Sequence, residues 1–343
     1  MVFSVPMRPI FDAMLVNRTF GDPGVLIDLK FERRAILFDI GDVTGLPTRK
    51  LLRVSDVFVS HTHMDHFAGF DHLLRVCLGR DTAVRLYGPE KFISQVGHKL
   101  AAYTWNLVEN YATDYVITVH ELGAGGHIER AQFRSRRRFE YEALPGTDCS
   151  DGVLLESPSF RIRAVPLEHH AITSLAFAFE EGVHINIWKN RLEELGLPTG
   201  PWLTRLKELV RAGAPEDTPI RVRWRTRGGA HEQMIPLGKL RASVLEFLPG
   251  QRVCYVTDVA DNPHNRESLV AFLHGADLLF IEAVFLDAER EQAARKAHLT
   301  ARAAGQMARA AGVRAAVPFH FSPRYLGREE DLRREFEGAW RGG

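Results

Sequence analysis

Apolar positions along this chain recur at two spacings, and the change from one to the other marks out its elements. Gly24–Lys30 and Ala35–Asp39 are short apolar runs parted by the polar Glu32–Arg34, which predicts a hairpin. Asp56–Ser60 and Val84–Tyr87 read as strands, the second ended by Gly88-Pro89. In Ser94–Glu109 the residues Val96, Leu100, Tyr103 and Leu107 recur at helical spacing. Phe160–Leu167 and Leu175–Phe179 predict strands on either side of His169. Two short helices follow, Trp188–Leu195 and Trp202–Ala212, joined by the turn Gly196-Leu197-Pro198-Thr199-Gly200-Pro201. Ile220–Arg227 alternates as a strand, and after Gly228-Gly229 a second polar strand is expected.

The last third alternates strand and helix. Arg252–Thr257 is a strand ending at Asp258, and Asn262-Pro263 supplies the cap and first residue of a helix that runs to Gly275. Asp277–Phe285 is a long apolar strand. Thr300 caps a helix with Ala301, Ala304, Ala308 and Ala311 on one face, stopped at Gly312. Ala315–Phe319 then leads into His320. The run Arg328–Glu337 mixes both charges and reads as the solvated face of a helix. Internal repeats and low-complexity segments are absent.

Chemistry-bearing residues gather just past strand ends. The densest signal is His61-Thr62-His63-Met64-Asp65-His66, directly after an apolar strand. Three imidazoles and a carboxylate in six residues cannot share a dry core without partners. They are the donor types that suit zinc and similar divalent ions. A surface histidine cluster is the plainer alternative. One loop does not complete two metal sites, so His169, Asp258 and His320, each beyond a strand, are the further candidates. Singly, each has an ordinary explanation as a core histidine or a turn aspartate.

Composition narrows the setting. Among 343 residues, 44 basic and 43 acidic side chains nearly cancel, so a nucleic-acid partner would need a local basic patch. The three cysteines, Cys77, Cys149 and Cys254, form no C-x-x-C and no disulfide framework, which suits a reducing cytoplasm. No stretch approaches the roughly 18 apolar residues of a membrane span, and no membrane association is expected.

These motifs resemble the metallo-β-lactamase superfamily and, within it, the ribonuclease Z branch that processes tRNA 3′ ends. H-x-H-x-D-H stands as His61–His66, P-L-[DE]-H as Pro166-Leu167-Glu168-His169, and the strand-end aspartate as Asp258. H-E-A-[TV]-F appears as Ile281-Glu282-Ala283-Val284-Phe285, H-[SL]-T-A as His298-Leu299-Thr300-Ala301, and H-x-S-x-R-Y as His320-Phe321-Ser322-Pro323-Arg324-Tyr325. The F-D-x-G turn is Phe38-Asp39-Ile40-Gly41. The likeness runs from about residue 24 to residue 330. The family's opening F-L-G-T-G and its P-x-x-x-R-N loop are missing, and its G-D-T is Thr257-Asp258-Val259 here.

The resemblance implies an α/β fold, a four-layer αββα sandwich, as one domain over 1–343 with a protruding helical arm at 186–213. It implies two divalent ions, zinc foremost with manganese or iron as alternatives. His61, His63 and His169 would hold one, Asp65, His66 and His320 the other, and Asp258 would bridge them. Asp65 would also be the general base, His298 would act on the phosphate or the leaving oxygen, and Glu282 would orient His298. The implied activity is a phosphodiesterase that removes the 3′ trailer of precursor tRNA by means of a metal-bound hydroxide. A hydrolase of small esters, lactones or cyclic phosphodiesters is the alternative, since a fold does not fix a substrate. A cytoplasmic homodimer is implied as well.

Two basic features bear on that choice. Arg221, Arg223, Arg225 and Arg227 alternate with Ile220, Val222, Trp224 and Thr226, so a strand would present all four on one face. With Arg324 they are the candidate substrate contacts, and an edge strand kept soluble by charge is the alternative. Arg130, Arg134, Arg136, Arg137 and Arg138 form a second cluster, whose role the sequence leaves open.

Overall fold

The computed structural model describes residues 10–149, 151–226 and 229–342. The chain divides into two units. The larger comprises the described residues up to Glu156, Arg161–Glu180 and those from Gln251 onward; the smaller comprises Ser157–Phe160 and Glu181–Gly250.

In the larger unit, eight strands form one sheet in chain order: β1 (Phe11–Leu15), β2 (Val25–Leu29), β3 (Arg34–Phe38), β4 (Val54–Phe58), β5 (Ala83–Gly88), β6 (Val116–Leu122), β7 (His127–Arg134) and β8 (Tyr141–Asp148). β3 to β6 are parallel, and the flanking pairs are antiparallel. Next in the chain come β9 (Val153–Glu156), β10 (Phe160–His169) and β11 (Ile172–Glu181). The smaller unit contributes β12 (His184–Ile187), β13 (Pro219–Thr226), β14 (Gly229–Pro236) and β15 (Leu245–Leu248). The last strands are β16 (Arg252–Val256), β17 (Leu278–Glu282) and β18 (Ala316–Phe319). The second sheet has the order β18-β17-β16-β11-β10-β9, with β16, β17 and β18 parallel.

Side-chain alternation explains the layers. On β3 and β4, Ala35, Leu37 and Val57 pack with Phe70, Leu73 and Leu74 of the helix Phe70–Cys77 and with Phe92 and Val96 of the helix Phe92–Ala101. The intervening Phe38 and Phe58 point the other way, and Phe38 meets Phe177 at 5.4 Å and Tyr255 at 5.9 Å from the second sheet. On that sheet Cys254, Val256, Leu279 and Ile281 face Leu269 and Leu273 of the helix Pro263–Leu273 and Ala304, Met307 and Ala308 of the helix Ala301–Ala310. Both faces of each central strand are therefore buried, which is why they read as unbroken apolar runs. This is the four-layer αββα order that the resemblance implied. The two caps form as expected: Asn262 accepts from Asn265 N and Thr300 from Ala303 N, each contributing about 1 kcal/mol.

Two expectations need correction. The helix read over Ser94–Glu109 is Phe92–Ala101. Trp105 folds back, donates from Nε1 to Leu100 O and packs on Phe139. Its burial outweighs the helical continuation, and Tyr103 and Leu107 lie exposed. The stretch after it, read as no element, forms β6, β7 and β8, which carry the first sheet to eight strands. β8 is largely exposed on both faces, so it lacks the apolar pattern that would have revealed it.

The smaller unit has a core of its own. Leu192 of the helix Lys189–Glu194 and Trp202, Leu203 and Leu206 of the helix Trp202–Arg211 pack with Ile220 and Val222 of β13 and with Leu240 and Val244 of the helix Leu237–Val244. The two helices anticipated within 186–213 thus share a core with the strands and helix that follow them. Among the described residues no helix is long and apolar enough to cross a membrane.

Candidate metal centre

Each strand that carries a candidate residue releases it at its carboxyl end. β4 leads to His61, β10 ends on His169, β16 leads to Asp258, β17 ends on Glu282, and β18 leads to His320. Asp39, Asp258 and His320 adopt positive φ of 56°, 46° and 58°. Such a backbone is uncommon outside glycine; here it turns the chain sharply as each strand ends. Asp65 and His66 ride the short helix Met64–Phe67, with His63 at its N-cap.

All seven candidate ligands converge on Asp258. His61 Nε2 and His169 Nε2 each lie 3.6 Å from its Oδ2, while His66 Nε2 and His320 Nε2 lie 3.3 and 3.1 Å from its Oδ1. Asp65 Oδ2 is 3.5 Å from His66 Nε2 and 3.9 Å from His320 Nε2. The His63 ring is 4.3 Å from that of His61 and 5.4 Å from that of His169. The donor atoms form overlapping groups: His61, His63, His169 and Asp258; Asp65, His66 and His320; and Asp258, Glu282, His298 and His320.

The far edge of the rings explains their aim. His66 Nδ1 donates to Asp39 (2.8 Å), His169 Nδ1 to Ala297 O (3.0 Å) and His298 Nδ1 to Glu282 (2.9 Å). Carboxylate and carbonyl partners place the proton on Nδ1 and leave Nε2 as the inward edge. The second oxygen of Glu282 accepts from Val259 N and Leu299 N, so one buried carboxylate ties the Asp258 loop to the His298 loop.

Asp39 had been read only as part of a motif. It is fully buried and accepts from Ser60 N, Ser60 Oγ, His66 Nδ1 and the Tyr255 hydroxyl. Tyr255 belongs to the second sheet, so this bond joins the two halves of the cluster. Two glycines permit the packing: a Cβ on Gly41 would fall 2.1 Å from Asp65 O, and one on Gly69 would fall 2.1 Å from Gly41 O. The sequence signal for Asp39 was an aspartate at the end of an apolar strand, the same signal that singled out Asp258. Tyr255→Phe removes one donor from a buried carboxylate and is expected to cost about 1–3 kcal/mol of unfolding free energy in a denaturant titration. An unchanged midpoint would show that the bond contributes nothing net.

The donor set fits divalent ions. His61 Nε2 and His66 Nε2 are buried and make no hydrogen bond, an arrangement that costs free energy unless a cation accepts their lone pairs. Burial pushes the His61 imidazole down to about 2, which keeps it neutral as a ligand must be. Burial alone would raise Asp258, but His66 and His320 beside it hold its carboxyl well below the usual range. Burial opposes charge on His298 as well, yet Glu282 outweighs it and lifts the imidazole to about 9.

The basic candidates fall elsewhere. Arg221 and Arg223 lie on the exposed face of β13, with Ile220 and Val222 buried beneath, and both reach Glu232 at 2.8 and 2.7 Å. Arg225 is a strand position of the same hairpin, and Arg227 lies outside the described residues. Arg324 bonds Glu289 at 2.7 Å and stacks over Phe285. In the second cluster, Arg134, Arg137 and Arg138 pair with Asp114, Glu142 and Glu109, and Arg136 donates to Ala112 O. That cluster fastens a turn to its neighbouring loop.

Comparison with known proteins bears on this arrangement. A family profile described as the beta-lactamase superfamily domain matches residues 232–321. The ribonuclease Z of Deinococcus radiodurans is 31% identical over 307 residues, covering 89% of this chain and 86% of that protein. The ribonuclease Z of Methanothermobacter thermautotrophicus is 26% identical, covering 87% of this chain and 81% of that protein. Among solved structures, the metallo-β-lactamase fold protein YhfI from Bacillus subtilis matches with a TM-score of 0.53 at 16% identity, covering 96% of this chain and 92% of that one. The short form of human tRNase Z matches with a TM-score of 0.51 at 18% identity, covering 92% of both chains.

Proposed function

Because the chain belongs to the ribonuclease Z family of metal-dependent hydrolases, we propose that it cuts precursor tRNA endonucleolytically and releases the 3′ trailer. The observation that carries this reading is the convergence of His61, His63, Asp65, His66, His169 and His320 on the single carboxylate of Asp258. Zinc as the resident ion, a homodimeric assembly and a cytoplasmic location belong to the same reading. His61, His63 and His169 would hold one ion and Asp65, His66 and His320 the other, with Asp258 between them. When bound, two such ions supply Lewis-acid chemistry: they lower the pKa of an attacking water and neutralise charge on the phosphate.

The chain's own residues do the rest. Asp65, partly exposed at the mouth of the cluster, orients the attacking water and accepts its proton. His298 carries its charge at neutral pH because of Glu282, and its free Nε2 offers a proton to the phosphate or the leaving oxygen. The buried Glu282 fixes the ring by holding Nδ1.

Two measurements test the metal assignment. Elemental analysis of metal-reconstituted protein is expected to give two ions per chain, and a value of one or less would break the ligand set. His298→Ala is expected to lower turnover about 10²- to 10³-fold with the metal count still at two. Loss of an ion in that variant would make His298 a ligand instead. The function itself is tested by offering precursor tRNA and a small chromogenic phosphodiester side by side. Cleavage at the trailer junction is expected, and hydrolysis of the small ester alone would replace the tRNA reading with a small-substrate one.

A further inference from the structure

Beside the metal cluster the larger unit holds a second concavity of about 540 Å³, within the usual range of roughly 300–1,000 Å³ for small-ligand sites. It opens at the same end of the fold. Glu90 follows β5 and Leu122 ends β6, the strands next in order to β4, which leads to His61. The facing wall is the β10–β11 turn: Pro166 and Leu175, which flank His169 in sequence, both line the cavity. Leu175 N donates to Ser60 O (2.9 Å), and Ser60 immediately precedes His61. The cavity wall is therefore bonded to the backbone that carries the first histidine of the cluster.

Its chemistry is selective. Leu122, Pro166 and Leu175 give apolar surfaces, and Gly125, held at φ of 75°, adds no side chain to fill the space. The lining offers one cation, Arg163, and that guanidinium already donates to Asp151 O (2.9 Å) and lies 3.7 Å from Glu180. A phosphate finds no partner there. A nucleobase does, since its flat face suits aliphatic walls and its edge suits the polar rim at Glu90.

We propose that this cavity receives the base of one of the two nucleotides that border the cleaved phosphodiester, so that its walls hold the chain while the cluster acts on the phosphate. The proposal rests on the nuclease reading above. The test uses the metal-loaded full chain and Ala124→Trp, which places an indole in the mouth of the cavity from an exposed rim position away from the cluster. The substrates are a precursor RNA, the same RNA made abasic on either side of the cut, and a chromogenic phosphodiester that carries no base.

In the wild type, removing the base on one side is expected to lower kcat/KM about tenfold. In Ala124→Trp the intact RNA is expected to be cut equally poorly, and the abasic RNA no worse, because both changes abolish one interaction. The base-free ester is expected to be hydrolysed alike by both proteins. If the two losses multiply, or if neither abasic RNA is impaired, the cavity does not hold a base. If the wild type cuts no RNA yet hydrolyses the ester, the nuclease reading fails and takes this proposal with it. Should Ala124→Trp not fold, Glu90→Trp fills the same mouth from the opposite loop and is judged by the same outcomes.

Discussion

Asp65→Ala is expected to lower turnover on a small phosphodiester about 10⁴-fold while leaving the protein folded. The size of the effect follows from two duties falling on one carboxylate. Asp65 lies within 4 Å of both His66 Nε2 and His320 Nε2, so its loss strips a negative ligand from a site that is otherwise imidazole. It is also the partly exposed carboxylate at the mouth of the cluster, free to face water where Asp258 is buried. Stability should change little because its side chain supports no packed neighbour. The fragile part of this region is its backbone, which Gly41 and Gly69 approach closely. Steady-state kinetics beside a thermal melt decides the matter: activity near wild type would remove Asp65 from both roles, and a collapsed melting point would make the kinetic loss uninformative.

Replacing Val183–Leu248 with a short Gly-Ser linker is expected to reduce precursor-tRNA cleavage at least about 100-fold and to spare the chromogenic ester. None of the candidate ligands lies in that segment, and remote contacts add binding energy only for substrates large enough to reach them. The excision points matter. A Cβ on Gly250 would sit 2.1 Å from Glu181 O, so the segment leaves and returns at one place and a short linker can close the gap. Cutting only residues 186–213 would remove Leu192, Trp202 and Leu206 from a core shared with Ile220, Val222 and Leu240. That would expose apolar surface and confuse misfolding with lost recognition. Cleavage of tRNA and ester by the shortened protein is followed in parallel. Equal loss of both would give the segment a structural role, and intact tRNA cleavage would deny it any part in recognition.

The cluster was legible in the sequence because its first part is dense and its later parts each follow an apolar strand. His61–His66 needs no tertiary information to draw notice. Asp258 and His320 stand out because Arg252–Thr257 and Ala315–Phe319 end at them. Asp39 meets the same criterion but escaped a role, since its partners Ser60 and Tyr255 are far from it in sequence and their hydroxyls carry no periodic signal. The strands β6, β7 and β8 were hidden for another reason. β7 and β8 alternate only weakly, because their outer residues meet solvent and charge instead of a second sheet. Trp105 illustrates a third limit: a helical period was present, but one indole found a better burial by leaving the helix.

The scatter of the cluster along the chain bears on how such an enzyme is made. Residues 61–66 come early, His169 near the middle, Asp258 late and His320 later still, and the bond from Tyr255 to Asp39 joins segments more than two hundred positions apart. A polypeptide emerging from the ribosome can therefore fold its first sheet and display the histidine-rich loop while it still lacks Asp258, on which the proposed ligand set converges. The centre closes only after residue 320 has been synthesised. On the proposed ligand set, a nascent or prematurely terminated chain is inert toward RNA, including the transcripts and tRNAs that surround it during translation.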